Sequence, residues 1–222
     1  MTFIEELKWR NLFKDCTDEE SLNERMNTPM SMYCGYDPTA DSLHIGHLQQ
    51  LILLKRYQAQ GHHPIALIGG GTGMIGDPRP TSERALLSDE AIKHNAEAIG
   101  KQIKYILRSQ DNAIRIINNA DWLEKINLIS FLRDYGKYFS VNTMIAKDTI
   151  AKRLESGISF TEFSYTILQA IDWYQLYKNY GCEMQIGGSD QWGNLVSGTD
   201  LIRKIVGSDT KVYGVTSPLI TK

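Results

Sequence analysis

The stretch "SMYCGYDPTADSLHIGHLQQLILLKRYQAQG", residues 31–61, decides the fold. Its first six residues, Ser31 to Tyr36, are apolar and β-prone and follow Pro29, which reads as a strand. From Leu43 onward the pattern is helical: Leu48, Leu51, Ile52 and Lys55 share a face, and Gly61 supplies a stop. Asp41 or Ser42 is placed to cap that helix. A strand that turns through aspartate and proline into a helix is the opening half of a strand–helix–strand unit.

The same alternation continues outward. "PIALIGG" (64–70), "AIRIIN" (113–118) and "CEMQIGG" (182–188) read as short strands. Helices are expected over 89–108, over 162–181 and through "SDQWGNLVSGTDLIRKIVG" (189–207), with a helix-rich stretch over 126–156. Strands separated by helices predict an α/β fold, a mostly parallel sheet with helices on both faces. The 222 residues suffice for a sizeable core, and 42% hydrophobic with 23% charged residues is ordinary for a soluble globular protein. A net charge of -2 gives no global field that would draw nucleic acid or anionic lipid, so any such contact depends on local patches or further chain. Cys16, Cys34 and Cys182 are scattered and odd in number, which fits neither a disulfide framework nor a metal site. The opening "MTFIEELKWR" lacks signal-peptide order and no run reaches membrane-spanning length, so a cytoplasmic location and no membrane partner are expected.

Ligands of parallel sheets bind beyond the carboxyl ends of the strands. That rule singles out Gly35–Asp37, Gly69–Asp77, Asn118–Asp121 and Gly187–Gln191. "GGGTGMIGDP" (69–78) is not a lysine-bearing phosphate loop, and Gly71, Gly73 and Gly76 match GxGxxG spacing without the acidic residue about twenty positions on. His44 and His47 lie three apart at a helix start, where free N–H groups and the helix dipole favour phosphate. Gly46 between them costs about 1 kcal/mol of helix stability against alanine, which makes sense if a ligand lies flat on the helix. Alone, such a pair is more often two ordinary histidines beside a cap. Zinc is disfavoured because no third ligand has suitable spacing. On the helix 162–181, Tyr165, Gln169 and Asp172 recur at i, i+4 and i+7. A buried carboxylate and amide need partners, and a polar ligand accounts for three in one stripe more readily than internal pairing. Asp190, at the next helix start, is placed either to hold a sugar hydroxyl or to act as an N-cap.

In this order, "YCGYDPTADSLHIGHL", "GMIGDP", "GISFTEFSYTILQA" and "QIGGSDQWGN" resemble the catalytic domain of bacterial tyrosyl-tRNA synthetases, and "HIGH" at 44–47 resembles the first class I signature. The resemblance covers essentially the whole chain. It implies a Rossmann-like catalytic domain over 1–222, with an inserted helical, dimerising segment at about 85–160. It implies that Tyr33 and Asp172 bind the phenol hydroxyl of L-tyrosine, that Asp77, Tyr165 and Gln169 hold its ammonium, and that Gln185 joins the tyrosine site. Thr39 and His44 would face the γ-phosphate of ATP and His47 the ribose, together as the catalytic group. Cys34, Gly188 and Asp190 would meet the ribose, Asp37 and Gln191 would lie near the α-phosphate, and Gly35 and Gly46 complete the ATP-binding set. ATP would enter with Mg²⁺ as a substrate complex, with no protein-ligated metal. The further partners implied are tRNA(Tyr) and a second copy of the chain. The family's lysine-rich KMSKS-type loop, its anticodon-binding part and its C-terminal RNA-binding part are not in this sequence, which therefore reads as a fragment. "DPRPTSER" (77–84) lacks the family's usual lysine, and Arg79 or Arg84 stands where that charge would be. Gln50 occupies a nucleotide-side position that varies in the family. The aromatics of 130–163, among them Phe131, Tyr135, Tyr138, Phe139 and Phe160, are expected to build the dimer contact. Without the resemblance three other readings stay open: a tryptophan-specific relative, another HxxH nucleotidyltransferase, or a paralogue that binds tyrosine or RNA without catalysis.

Overall fold

The computed structural model describes residues 1–76, 87–109, 112–154 and 157–220, the side chains of 148 and 149 excepted. The elements in chain order are α1 (Phe3–Trp9), α2 (Glu19–Arg25), β1 (Ser31–Tyr36), α3 (Ile45–Ala59), β2 (His63–Ile68), α4 (Asp89–Ile106), β3 (Arg115–Asn118), α5 (Ala120–Leu123), α6 (Leu128–Ser130), α7 (Val141–Ile145), α8 (Asp148–Leu154), α9 (Phe160–Tyr180), β4 (Cys182–Gly188), α10 (Trp192–Val206) and β5 (Tyr213–Ser217). The strands form one parallel sheet in the order β3-β2-β1-β4-β5. The chain winds one way from β1 to β3, then returns to the other side of β1 for β4. The crevice where the order reverses therefore lies between β1 and β4. This is the Rossmann-like arrangement that the resemblance implied.

Alternation along β1 and β2 divides the core. Met32, Cys34, Tyr36, Ala66 and Ile68 belong to a cluster with Leu51, Leu54 and Tyr57 of α3 and Ile99 and Ile103 of α4. Tyr33, Ile65 and Leu67 pack on the opposite face with Trp173 and Leu176 of α9 and Ile202 of α10. Burial on both faces is why these strands read as continuous apolar runs. The terminal strand β5 was not anticipated. Its five residues are interrupted by Gly214 and followed by no helical pattern, yet all are buried against β4. The helices α1 and α2 were likewise unread, each only seven residues long.

The stretch 85–160 is not uniform in structure. Within it α4 packs on the sheet, and β3 is the edge strand paired with β2. The helix-rich part begins after β3 as short pieces: α5, α6, a π-helical turn at Phe131–Tyr135, a 3-10 turn at Gly136–Tyr138, α7 and α8. Phe131, Tyr135, Tyr138 and Phe139 turn inward onto Met144, Ile167, Ile171 and Leu201. The apolar side chains this segment exposes include Leu128, Ile129, Leu132, Val141, Ile145 and Leu154, and Phe160 at the start of α9, expected to be outward, is 73% exposed. A buried ion pair, Arg153 with Glu162 at 2.9 Å, fastens α8 to the first turn of α9.

Candidate functional site

A cavity of about 530 Å³ opens at the carboxyl ends of β1 and β4, at the switch point of the sheet. Tyr33, Cys34, Gly35, Asp37, His44, Gly46, His47, Tyr165, Gln169, Asp172, Gln185, Gly188, Asp190 and Gln191 all lie on its wall. Thr39 does not. It is exposed beyond the rim, its N–H donating to the Asp37 carbonyl at 2.8 Å. Asp77, Arg79 and Arg84 lie outside the described residues.

One end of the cavity is floored by α9. Asp172 is 3% exposed and accepts two hydrogen bonds, from Asn119 Nδ2 at 2.9 Å and from Trp122 Nε1 at 2.8 Å. Burial pushes its carboxyl up to about 7, against the pull of the Asn119 and Trp122 donors and with a further push from the charge of Asp37. The expectation that a ligand, rather than internal pairing, explains this carboxylate is thus half corrected: Asp172 already has two internal donors. Beside it Tyr33 and Gln185 face each other in register on β1 and β4. The Tyr33 hydroxyl and Gln185 Oε1 are fully buried and unpartnered among the described residues. Burial, with a smaller contribution from Asp172, raises the Tyr33 hydroxyl well above its ordinary range, so it stays a neutral donor. A buried hydroxyl left unpaired costs about 1–3 kcal/mol. Higher on α9, Tyr165 donates to Asp37 Oδ2 at 2.9 Å, and Gln169 Nε2 donates to Gln191 Oε1 at 3.4 Å.

The glycine loop after β2 does something other than expected. Its N–H groups do not stand free for a ligand. Gly70 N–H donates to Asn118 Oδ1 at 3.2 Å, and Gly71 N–H to Asn119 Oδ1 at 2.8 Å. A Cβ at Gly69 would collide with the Asp37 carboxylate, and one at Gly70 with the Asn118 carboxamide. The glycines are there so that these side chains can lie across the backbone. Thr72 then donates to Asp37 Oδ1 at 2.9 Å and accepts from Asn119 Nδ2 at 2.9 Å. Asn118, Asn119, Thr72 and Trp122 were not singled out from sequence. The strand-exit rule had pointed at Asn118–Asp121 but offered no reason to choose among four polar or small residues.

The other end is formed by the start of α3, where the cap differs from expectation. His44 itself is the N-cap, in place of Asp41 or Ser42: its Nδ1 accepts from Gly46 N–H at 3.1 Å. The His44 N–H in turn donates to His47 Nδ1 at 3.3 Å, and the two rings stack at 3.7 Å between centroids. With each Nδ1 accepting, the neutral tautomer carries its proton on Nε2, so both rings present a donor. Gly46 is explained from within, because a Cβ there would sit 3.1 Å from the His44 ring. Asp190 is not a helix cap; it lies within a 3-10 turn, Ser189–Gln191, that leads into α10. Burial pushes the Cys34 thiol up to about 12, so it lines the wall as a neutral group and not as a nucleophile.

The model of the family described as tRNA synthetases class I (W and Y) matches residues 24–222. A curated tyrosine–tRNA ligase 1 of Enterococcus faecalis is 54% identical over all of this chain and 53% of its own length. A tyrosine–tRNA ligase of Lactobacillus acidophilus is 56% identical over 99% of this chain and 52% of its own length. The chain therefore spans about half the length of the curated relatives it matches. Among solved structures, a C-terminally truncated mitochondrial tyrosyl-tRNA synthetase of Aspergillus nidulans superposes over all of this chain and 70% of its own, with a TM-score of 0.87 and 31% identity. A tyrosyl-tRNA synthetase of Archaeoglobus fulgidus in complex with L-tyrosine shares the fold over 94% of this chain and 61% of its own, with a TM-score of 0.75 at 16% identity.

Proposed function

We propose, on the premise that this chain belongs to the tRNA synthetases class I (W and Y), that it is the catalytic half of a cytoplasmic tyrosyl-tRNA synthetase. The reaction is attack of the L-tyrosine carboxylate on the α-phosphorus of ATP, giving tyrosyl-adenylate and pyrophosphate, and then transfer of the tyrosyl group to the 3′ end of tRNA(Tyr). Mg²⁺ arrives with the nucleotide. The carboxylate is already ionised at neutral pH, so no general base is required, and catalysis is positioning together with stabilisation of charge on the phosphates.

The observation that carries this reading is the floor of the cavity. Asp172 and Tyr33 there offer a buried acceptor and a buried, unpaired donor, and a phenol hydroxyl satisfies both at once. An indole has no hydroxyl to offer, which favours tyrosine over tryptophan. Gln169 and Tyr165, about one and two turns before Asp172 on α9, and the Asp37 carboxylate that accepts from Tyr165 suit a cationic α-ammonium, with Asp77 assigned there from sequence; Asp37, expected near the α-phosphate, is here moved to the ammonium side. The Nε2 donors of His44 and His47 suit phosphate and ribose oxygens at the start of α3, with Cys34, Gly35, Gly46, Gly188, Asp190 and Gln191 completing that wall. Thr39 is assigned to the γ-phosphate from sequence alone. The exposed apolar residues Leu128, Ile129, Leu132, Val141 and Phe160 make the segment after β3 the proposed contact of a homodimer.

Calorimetric titration of residues 1–222 with tyrosine, alongside tyrosine-dependent ATP–pyrophosphate exchange, tests the assignment. Tyrosine is expected to bind at one site and to be displaced by a non-hydrolysable tyrosyl-adenylate analogue. A chain that binds neither compound is not such an enzyme. Light scattering tests the dimer: a monomer at micromolar concentration contradicts it.

A further inference from the structure

We infer that Thr72 is a specificity-positioning residue: acting through Asn119, it holds Asp172 as the acceptor that tells a hydroxylated ligand from one without the hydroxyl. This rests on the tyrosine reading above and goes beyond it, because nothing in that reading requires the glycine loop to take part in selection.

The directions of donation are forced by chemistry. The Oδ1 of Asn119 accepts from Gly71 N–H, which fixes the carboxamide with its amide group toward Asp172 and Thr72. An amide nitrogen only donates, so its two hydrogens go to Asp172 Oδ2 and Thr72 Oγ1, both at 2.9 Å. A hydroxyl that accepts there has one hydrogen left to give, and Thr72 gives it to Asp37 Oδ1 at 2.9 Å. The chain of bonds therefore runs from Asp172 through Asn119 and Thr72 to Asp37, with a carboxylate at each end. Asn119 is 1% exposed and Thr72 2%, so both bonds are shielded from solvent. In such a buried chain each bond strengthens the next.

Removing the Thr72 hydroxyl has two effects of the same sign. One amide hydrogen of Asn119 loses its acceptor, which leaves the carboxamide held by two bonds, from Gly71 and to Asp172, instead of three. Asp37 loses a donor, and its less neutralised charge disfavours ionisation of Asp172 more strongly. Both weaken Asp172 as an acceptor; the change at Asp37 is felt alike by the α-ammonium of either amino acid and cancels in the ratio of their constants.

The experiment measures dissociation constants of residues 1–222 for tyrosine and for phenylalanine, in the wild type, Thr72→Val and Thr72→Ser. The quantity read is the hydroxyl advantage, the phenylalanine constant divided by the tyrosine constant. Thr72→Val is expected to lower it about five- to tenfold, the loss of one hydrogen bond in a charged network, whatever change at Asp37 the two ligands share. Thr72→Ser, which keeps the hydroxyl, is expected to restore it to within about twofold. Should the valine variant not fold by thermal melting, Thr72→Ala reads the same loss without the branched bulk. Equal weakening of both ligands means that Thr72 is merely structural and overturns the inference, leaving the function intact. No tyrosine binding by the wild type overturns both.

Discussion

The two ends of the cavity are built on opposite plans. At the α9 end, Asp172, Asn119, Thr72 and Trp122 are held in a closed set of hydrogen bonds, and Gln185 and Tyr33, whose ring packs on Trp173, are buried. At the α3 end, His44 is exposed and His47 half-buried; they bond to each other and to the backbone of their own turn, their rings stack, and His47 meets the Tyr36 ring edge-on at 5.8 Å. A closed, preorganised end selects by leaving its own buried groups unpaired when the wrong ligand enters. An open end with solvent-side donors binds a charged, hydrated group that brings much of its own solvation, and can act late, on charge that builds during reaction.

The largest difference is expected from deleting the centre of each plan. Asp172→Ala strands two buried donors, Asn119 Nδ2 and Trp122 Nε1, and is expected to weaken tyrosine binding at least about 100-fold and to cost about 3 kcal/mol of stability. His44→Ala is expected to leave tyrosine affinity within about twofold and to lower the rate of adenylate formation, read by pyrophosphate exchange, by about tenfold or more. Similar losses of tyrosine affinity in both variants would erase the comparison.

Glycine substitutions sharpen it at the next level. Gly70→Ala drives a methyl into the Asn118 carboxamide and breaks the hold on the loop, with an expected cost of about 2–3 kcal/mol by denaturant unfolding and weakened tyrosine binding. Gly46→Ala meets only the His44 ring, which can swing outward. The gain in helix propensity of about 1 kcal/mol offsets that, so stability is expected to change little and tyrosine affinity not at all.

Acidity gives a smaller and continuous test. The folded carboxyl of Asp172 titrates at about 7, above its ordinary 3.8 when unfolded. Between those values the folded chain binds the extra proton, so stability falls as pH rises from about 4 to 7 and is fully penalised above the folded value. Asp172→Asn is expected to flatten that decline in unfolding curves taken without ligand, while His44→Ala leaves it in place. An unchanged slope in the Asn variant would mean that this carboxylate is ionised throughout.

Much of this was legible in the sequence, unevenly. The four strands read from sequence, the parallel sheet and the stripe Tyr165–Gln169–Asp172 follow from period and spacing, which are local properties. β5 was missed because five residues with a glycine in second place carry no period. The bridge Asp172–Asn119–Thr72–Asp37 was missed because its members come from four separate elements that only the sheet order brings together. Gly46 and the loop Gly69–Gly71 were read as room for a ligand, whereas the occupants are His44, Asp37 and Asn118, side chains of the protein itself. A glycine announces that something lies close, not what. The aromatics of 131–139 misled for a related reason: composition cannot tell an aromatic turned onto Met144 and Ile171 from one left in solvent.

The central claim is that the closed end of the cavity reads a phenol hydroxyl. Its most direct test is the affinity of residues 1–222 for tyrosine against phenylalanine, by calorimetry at pH 8, where Asp172 is largely ionised. Phenylalanine leaves the Tyr33 hydroxyl unpaired and forfeits the bond to Asp172, together about 3–4 kcal/mol, so tyrosine is expected to bind at least about 100-fold more tightly. Affinities within threefold of each other would contradict the account, because a pocket so arranged cannot be indifferent to the group it was built to pair.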